Sequence, residues 1–313
     1  MRYATGVVGV CLLPLHALGQ TIVNRQQKFH RQIAPGNYSG ITALGDNRYA
    51  VVNDKSPDGF HVFHILIDTI SGRILSVDDE GFRPSGGDNR DQEGIAWVAD
   101  RQRLFISGER DNEIHEYLID GTPVAAHPVA FAAKARSNRG LESLCYDDAT
   151  RTLWTTTEEP LPGDSCVRIQ SFDADVHPLR QYFYRADTPL HRKKRKSTVA
   201  NGISELCATG DGRLLVLERE VYVPRRKIGA CVNVRLYETR PATADTLQKR
   251  LLCTFTTRIN ITSRKFANYE GCCVAHRLAD GRIILLLISD SQNRFRGMLR
   301  DWFRTVIIDK QPE

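Results

Sequence analysis

The chain has 313 residues, 41% of them hydrophobic and 26% charged, with a formal net charge of +6 and a mean hydropathy of −0.35. That composition excludes a disordered, collagenous or multi-span membrane protein. Two domains would fit the length, but all-β chains of this size often form one.

Residues 1–19 read as a secretory leader. Arg2 supplies a basic start, an apolar stretch runs over residues 7–18, and Ala17 and Gly19 are the small residues of a cleavage site before Gln20. The run is too short to span a bilayer; a short buried N-terminal strand is the plainer reading. Removing residues 1–19 takes one base and no acid, leaving 294 residues with a net charge of +5. No later apolar run is long enough to span, so the expectation is a periplasmic or secreted protein with residues 20–313 as one domain.

Five look-alike segments follow. The first is Asn37-Tyr38-Ser39-Gly40-Ile41, which passes through an Asp46-Asn47 turn to the apolar stretch 49–52 and Asp54. The second runs from Asp91-Gln92-Glu93-Gly94-Ile95 to 104–106 and Glu109, and the third from Arg139-Gly140-Leu141-Glu142 to 153–157 and Glu158. The fourth runs from Gly202-Ile203-Ser204-Glu205-Leu206 across Gly210-Asp211-Gly212 to 214–217 and Glu218. The fifth runs from Asn268-Tyr269-Glu270-Gly271-Cys272 across Asp280-Gly281 to 283–288 and Asp290. Such turns between apolar runs signal hairpins, and residues equidistant from a hairpin turn face each other. The polar ends of each unit therefore meet at one end of each hairpin.

Third strands are predicted at 61–67, 113–119, 166–172, 232–237 and 302–308. Fourth strands are predicted at 73–77, 124–131, 181–184 and 251–256. The last unit has no room for a fourth strand, and residues 21–29 could supply it by closing a ring. Four-stranded repeats of this length are propeller blades. The expected fold is an all-β propeller of five or six blades of four antiparallel strands, its ring closed by an N-terminal strand. A β-sandwich is the rival, but it leaves the recurring acids unexplained.

The motifs Asp91-Gln92-Glu93-Gly94, Ser107-Gly108-Glu109-Arg110, Asn138-Arg139-Gly140-Leu141-Glu142, Leu215-Val216-Leu217-Glu218-Arg219, Asn268-Tyr269-Glu270-Gly271 and Ser289-Asp290-Ser291-Gln292-Asn293 stand in order along residues 35–310. In that order and spacing the chain resembles the phytase-like family of secreted bacterial proteins, the esterase-like activity of phytase. The resemblance implies a β-propeller and a hydrolase of esters or phosphoesters. Cys272 and Cys273 depart from the small apolar residues of the family pattern.

In a propeller the polar ends would gather Glu93, Glu109, Glu142, Glu158, Glu205, Glu218, Glu270 and Asp290 around one channel mouth. Crowded carboxylates must be protonated, paired or metal-bound. One reading is a ring of ion pairs with Lys55, Arg110, Arg139, Arg219 and Arg294. The other is a Ca²⁺-type site of hard oxygen donors, with Asp54, Glu109, Glu205, Glu218 and Asp290 as metal ligands. Glu93, Glu142 and Glu270 would then be the catalytic carboxylates, and Lys55, Arg110, Arg139 and Arg219 would hold an anionic group. The expected partner is a small-molecule ester or phosphoester, and a monomer is expected. The alternative is a non-catalytic propeller that binds a ligand or protein at the same mouth.

Other chemistry has less support. No GxSxG elbow, HExxH, P-loop or dinucleotide fingerprint occurs. Ser39, Ser143 and Ser204 read as turn-bonding residues, and His61 and His115 as surface residues of third strands. After the leader, seven cysteines remain, an odd number expected to be mostly buried thiols. Cys273 and His276 form a single CxxH, weak evidence for a metal. The basic runs 191–196 and 225–227 read as solvated loops, or else as a collar for anions. Aromatics do not interleave with them, which argues against nucleic-acid binding.

Overall fold

In the computed structural model, residues 21–262 and 264–309 are described. The predicted leader lies outside them. The strands are β1 (Ile22–Val23), β2 (Gln27–Lys28), β3 (Tyr38–Gly45), β4 (Arg48–Asn53), β5 (Gly59–Ile67), β6 (Ile74–Pro84), β7 (Gln92–Val98), β8 (Arg103–Gly108), β9 (Glu113–Tyr117) and β10 (Pro123–Pro128). They continue as β11 (Leu141–Asp147), β12 (Thr152–Thr157), β13 (Val167–Phe172), β14 (Pro178–Tyr184), β15 (Thr198–Ala208), β16 (Leu214–Val223), β17 (Cys231–Thr239), β18 (Lys249–Arg258), β19 (Asn268–Arg277), β20 (Ile283–Asp290) and β21 (Trp302–Ile308).

Strands β3–β6, β7–β10, β11–β14 and β15–β18 form four antiparallel four-stranded sheets in simple meander order. The fifth sheet, β19–β20–β21, is completed by the N-terminal segment. Ile22 and Val23 pair with Ile307 and Val306, and Gln27 and Lys28 pair with Phe303 and Trp302. The ring therefore has five blades among the described residues; there is no sixth. The inner strands β3, β7, β11, β15 and β19 each neighbour the next, and β19 neighbours β3.

Hairpin geometry follows from local chemistry. Asp46 and Asn47 both take positive φ (50° and 59°), as a two-residue turn matching strand twist requires. Strand periodicity then sorts the core. In β20, Ile283, Leu285 and Leu287 pack toward the fourth blade, while Ile284, Leu286 and Ile288 pack toward the first. Five apolar clusters result, one between each pair of neighbouring blades. Strands buried on both faces read as continuous apolar runs, which is why the second strands were the clearest sequence signal.

The repeat motif is a β-bulge. Pairing between the first two strands slips at the same place in every blade: Tyr38/Ile41, Gln92/Ile95, Leu141/Ser143, Ile203/Glu205 and Tyr269/Gly271. A bulge kinks its strand and re-aims the extra side chain. The motif's glycine has a separate role, because neighbouring inner strands touch there. A Cβ on Gly94 would fall on the backbone of Ser143 and Leu144, and one on Gly40 on the carbonyl of Glu93. Gly94→Ala is therefore expected to destabilise the fold by about 3 kcal/mol, since overpacking against backbone cannot relax through a rotamer. An unchanged denaturant midpoint would show that the ring tolerates a wider inner spacing.

Among the described residues no helix is long and apolar enough to cross a membrane, and all seven cysteines there are free thiols. The basic residues 192–196 and 225–227 are exposed, while His191 is anchored. Its ring stacks on Tyr222 at 4.2 Å and its Nδ1 lies 2.9 Å from Glu220. Two expectations about histidines are corrected. His61 and His115 do sit on third strands, but both are largely covered. His61 packs against Phe82 and Asp79, and His115 against Asp111 at 2.9 Å. Asp111 satisfies the His115 ring, whereas His61 Nδ1 is buried without a hydrogen bond and burial lowers its pKa.

Candidate active site

The bulge fixes the first ring of mouth residues. Its extra residue is Ser39, Glu93, Glu142, Ser204 and Glu270 in blades one to five. The second ring is the residue just beyond the second-strand partner of the bulge. Pairing places Asp54, Glu109, Glu158, Arg219 and Asp290 there, each following Asn53, Gly108, Thr157, Glu218 and Ser289. Four blades contribute an acid to this second ring and the fourth contributes an arginine.

One pocket of about 240 Å³ collects the second ring and the three glutamates of the first. Its walls carry eight carboxylates (Asp54, Asp91, Glu93, Glu109, Glu142, Glu158, Glu270 and Asp290) against three cations (Lys55, Arg139 and Arg219). Nine of the twelve expected site residues are thus together. Arg110 sits at the rim, bonded to Asp91 at 3.1 Å and to the Asn89 carbonyl at 2.9 Å.

Glu205 and Glu218 are elsewhere. Blade four is shifted by one residue relative to an alignment on its acids. Ser204 occupies the bulge, and Glu205 falls in the column held by Ser143 in blade three and Gly271 in blade five. Glu205 is buried below the mouth, accepting the Leu206 N–H at 3.0 Å, and burial drives its carboxyl pKa well up. Glu218 points between blades three and four. It accepts from the Tyr184 hydroxyl at 2.7 Å and Lys249 at 2.6 Å, and so ties two blades together. Asp91 was missed as a site residue. Its signal was the repeat column that holds Asn37, Asp91 and Asn268.

The three cations are occupied. Arg219 is 7% exposed and reaches Glu270 at 3.1 Å, Glu158 at 3.2 Å and Glu142 at 3.5 Å. Lys55 bridges Asp54 and Asp91, both at 3.0 Å. Arg139 pairs with Glu158 and, at 3.7 Å, with Glu159. No cation lies within ion-pair distance of Glu93, Glu109 or Asp290 among the described residues. Burial, reinforced by neighbouring carboxylates, raises the pKa of Glu93, Glu142 and Glu270 well above the usual range. Burial pushes Asp290 up to about 7. Carboxyls with raised pKa values suit general acid–base work near neutral pH.

The serines are hydrogen-bonding residues in part. Ser39 donates to the Gln92 carbonyl at 2.6 Å and Ser204 to the Leu217 carbonyl at 3.3 Å, while the Ser143 hydroxyl has no partner. No histidine lines the pocket. Groups whose ligand atoms lie within 4.8 Å of one another do occur among the described residues, as Asp111/Glu113/His115 and Asp173/Asp175/His177, both away from the mouth.

A family profile described as phytase-like, esterase-like activity of phytase, matches residues 33–292, the span that builds both rings. The chain belongs to this family. No curated protein sequence matches it significantly. Solved structures with a similar chain path include the PQQ-bound aldose sugar dehydrogenase of Streptomyces coelicolor, at 12% identity and a TM-score of 0.48, covering 94% of this chain and 99% of that one. A luciferin-regenerating enzyme matches at 12% identity and a TM-score of 0.46, covering 91% and 95%. Likenesses this distant carry no argument about chemistry. The family's residues must supply it.

Proposed function

We propose that the protein is an exported hydrolase of esters or phosphoesters that works at the acid-ringed mouth, assisted by a cation. The observation that carries this reading is Glu93. It is buried in the pocket, no cation among the described residues lies within ion-pair distance of it, and burial beside other carboxyls lowers its acidity. The family description, esterase-like activity of phytase, supports the same reaction class.

The chemistry assigns roles to these groups. Ionised Glu93 takes a proton from water as the water oxygen bonds to the carbonyl carbon or phosphorus. The bond to the leaving oxygen breaks, and that oxygen takes the proton back from Glu93, while Glu142 and Glu270 stay beside the Arg219 guanidinium. The donors in the mouth are hard oxygens, which suit Ca²⁺ rather than a soft metal. Asp54 Oδ1 is buried without a hydrogen-bond partner, a group that a cation would satisfy. Asp54, Glu109 and Asp290, whose ligand atoms do not all lie within 4.8 Å of one another here, would have to close on the ion to hold it. When bound it would polarise the substrate oxygen.

Elemental analysis and chelator-sensitive turnover of p-nitrophenyl esters and phosphates test the reading. Bound Ca²⁺ with turnover lost on chelation is the expected result. Metal without turnover would favour a binding module, and neither would leave a ring of structural ion pairs.

A further inference from the structure

A second pocket of about 160 Å³ adjoins the mouth. Its walls include Val221 and Val223 of the long second strand of blade four, Ile259, Phe266, and Phe295 and Leu299 of the loop after β20, with Lys227 lying 4.7 Å over the Phe295 ring. It meets the mouth at two residues. Asp290 lines both pockets. Asn268, paired opposite Asp290, lines the apolar pocket and donates to Glu270 at 2.7 Å. The Asn268 Oδ1 is buried at this junction with no hydrogen-bond partner.

Resting on the hydrolase reading, we propose that this pocket seats the apolar acyl or aryl group of a carboxylic ester whose reacting carbonyl lies in the mouth. Three observations select this occupant. The volume matches a phenyl-sized group, since an apolar cavity of roughly 150 Å³ admits benzene. The mouth's carboxylates outnumber its cations, and each cation is already paired, so a dianionic phosphate meets repulsion that an uncharged ester does not. The outer wall is also a built feature. Residues 292–296 hold five consecutive positive φ angles, a conformation that non-glycine residues keep only where their surroundings enforce it. Arg294 does so here, donating to Asp301 Oδ2 at 2.5 Å, the Ile33 carbonyl at 3.0 Å and the His30 carbonyl at 3.2 Å.

Two readouts test the pocket. In ¹⁹F NMR, fluorobenzene is expected to bind the wild type and to lose at least tenfold affinity in Met298→Trp, a rim substitution, and in Val221→Trp, an inner one. In kinetics, kcat/KM for p-nitrophenyl acyl esters is expected to rise about fourfold per added methylene up to butyrate. The filled variants should flatten that rise. Fluorobenzene binding without hydrolysis of any ester would sink the hydrolase reading and leave an apolar binding pocket. Ester turnover that ignores chain length, or a chain-length slope that survives both tryptophans, would overturn the pocket assignment.

Discussion

Replacing Arg219 with methionine is expected to lower the unfolding free energy by about 3–5 kcal/mol at pH 8, the usual result of removing one partner from a buried charge cluster. The guanidinium is the only cation within ion-pair distance of Glu142 and Glu270 among the described residues, and it shares Glu158 with Arg139. Without it, Glu142 and Glu270 must be protonated or remain as uncompensated buried charge. The pH dependence has a definite sign. An acid whose pKa is raised by folding contributes its full stability below its unfolded pKa and loses it as pH rises through the folded value. Glu142 and Glu270 are already raised, and loss of Arg219 raises them further. The deficit of the variant should therefore be small near pH 4.5 and grow toward pH 8. Denaturant melts of both proteins at the two pH values measure it, and an equal deficit at both would mean that Arg219 acts through packing alone.

The propeller was legible because its signals are local. Asp-Asn and Asp-Gly turns, two-sided apolar strands such as β20, and the fivefold motif each lie within a few residues. Ring closure by Ile22 and Val23 was legible from a deficit, a last unit one strand short. The five interfaces were not legible, because a glycine such as Gly94 states that something is close without naming Ser143 as the neighbour. The site was legible where one blade copies another and obscured where it does not. Blade four carries acids at 205 and 218 that imitate the pattern, yet its bulge falls at Ser204. A one-residue offset turns a strand's side chains to the other face, so Glu218 leaves the mouth and Arg219 enters it. Arg219 was expected at the mouth, but that it takes the ring position Glu218 leaves depends on the bulge register at Ser204. His115 was misread for a related reason, since its partner Asp111 lies across a turn that composition does not describe.

Glu93→Gln is the second large effect. The amide keeps the shape of the side chain and cannot accept the proton of the attacking water. General base removal costs about 10²–10⁴-fold in rate. Stability should hold or rise, because the substitution removes a buried carboxyl that lies among acids and has no cation partner among the described residues. This combination separates a catalytic role from a structural one. A residue of the ion-pair ring would lose stability on substitution, whereas Glu93 should lose only turnover. The most direct test is therefore steady-state hydrolysis of p-nitrophenyl butyrate and p-nitrophenyl phosphate by wild type and Glu93→Gln, with thermal melts on the same preparations. Measurable wild-type turnover that falls at least 100-fold in a variant melting at or above the wild-type temperature is the predicted result. Equal turnover in the two proteins, or none in either, would contradict a hydrolytic site at the mouth.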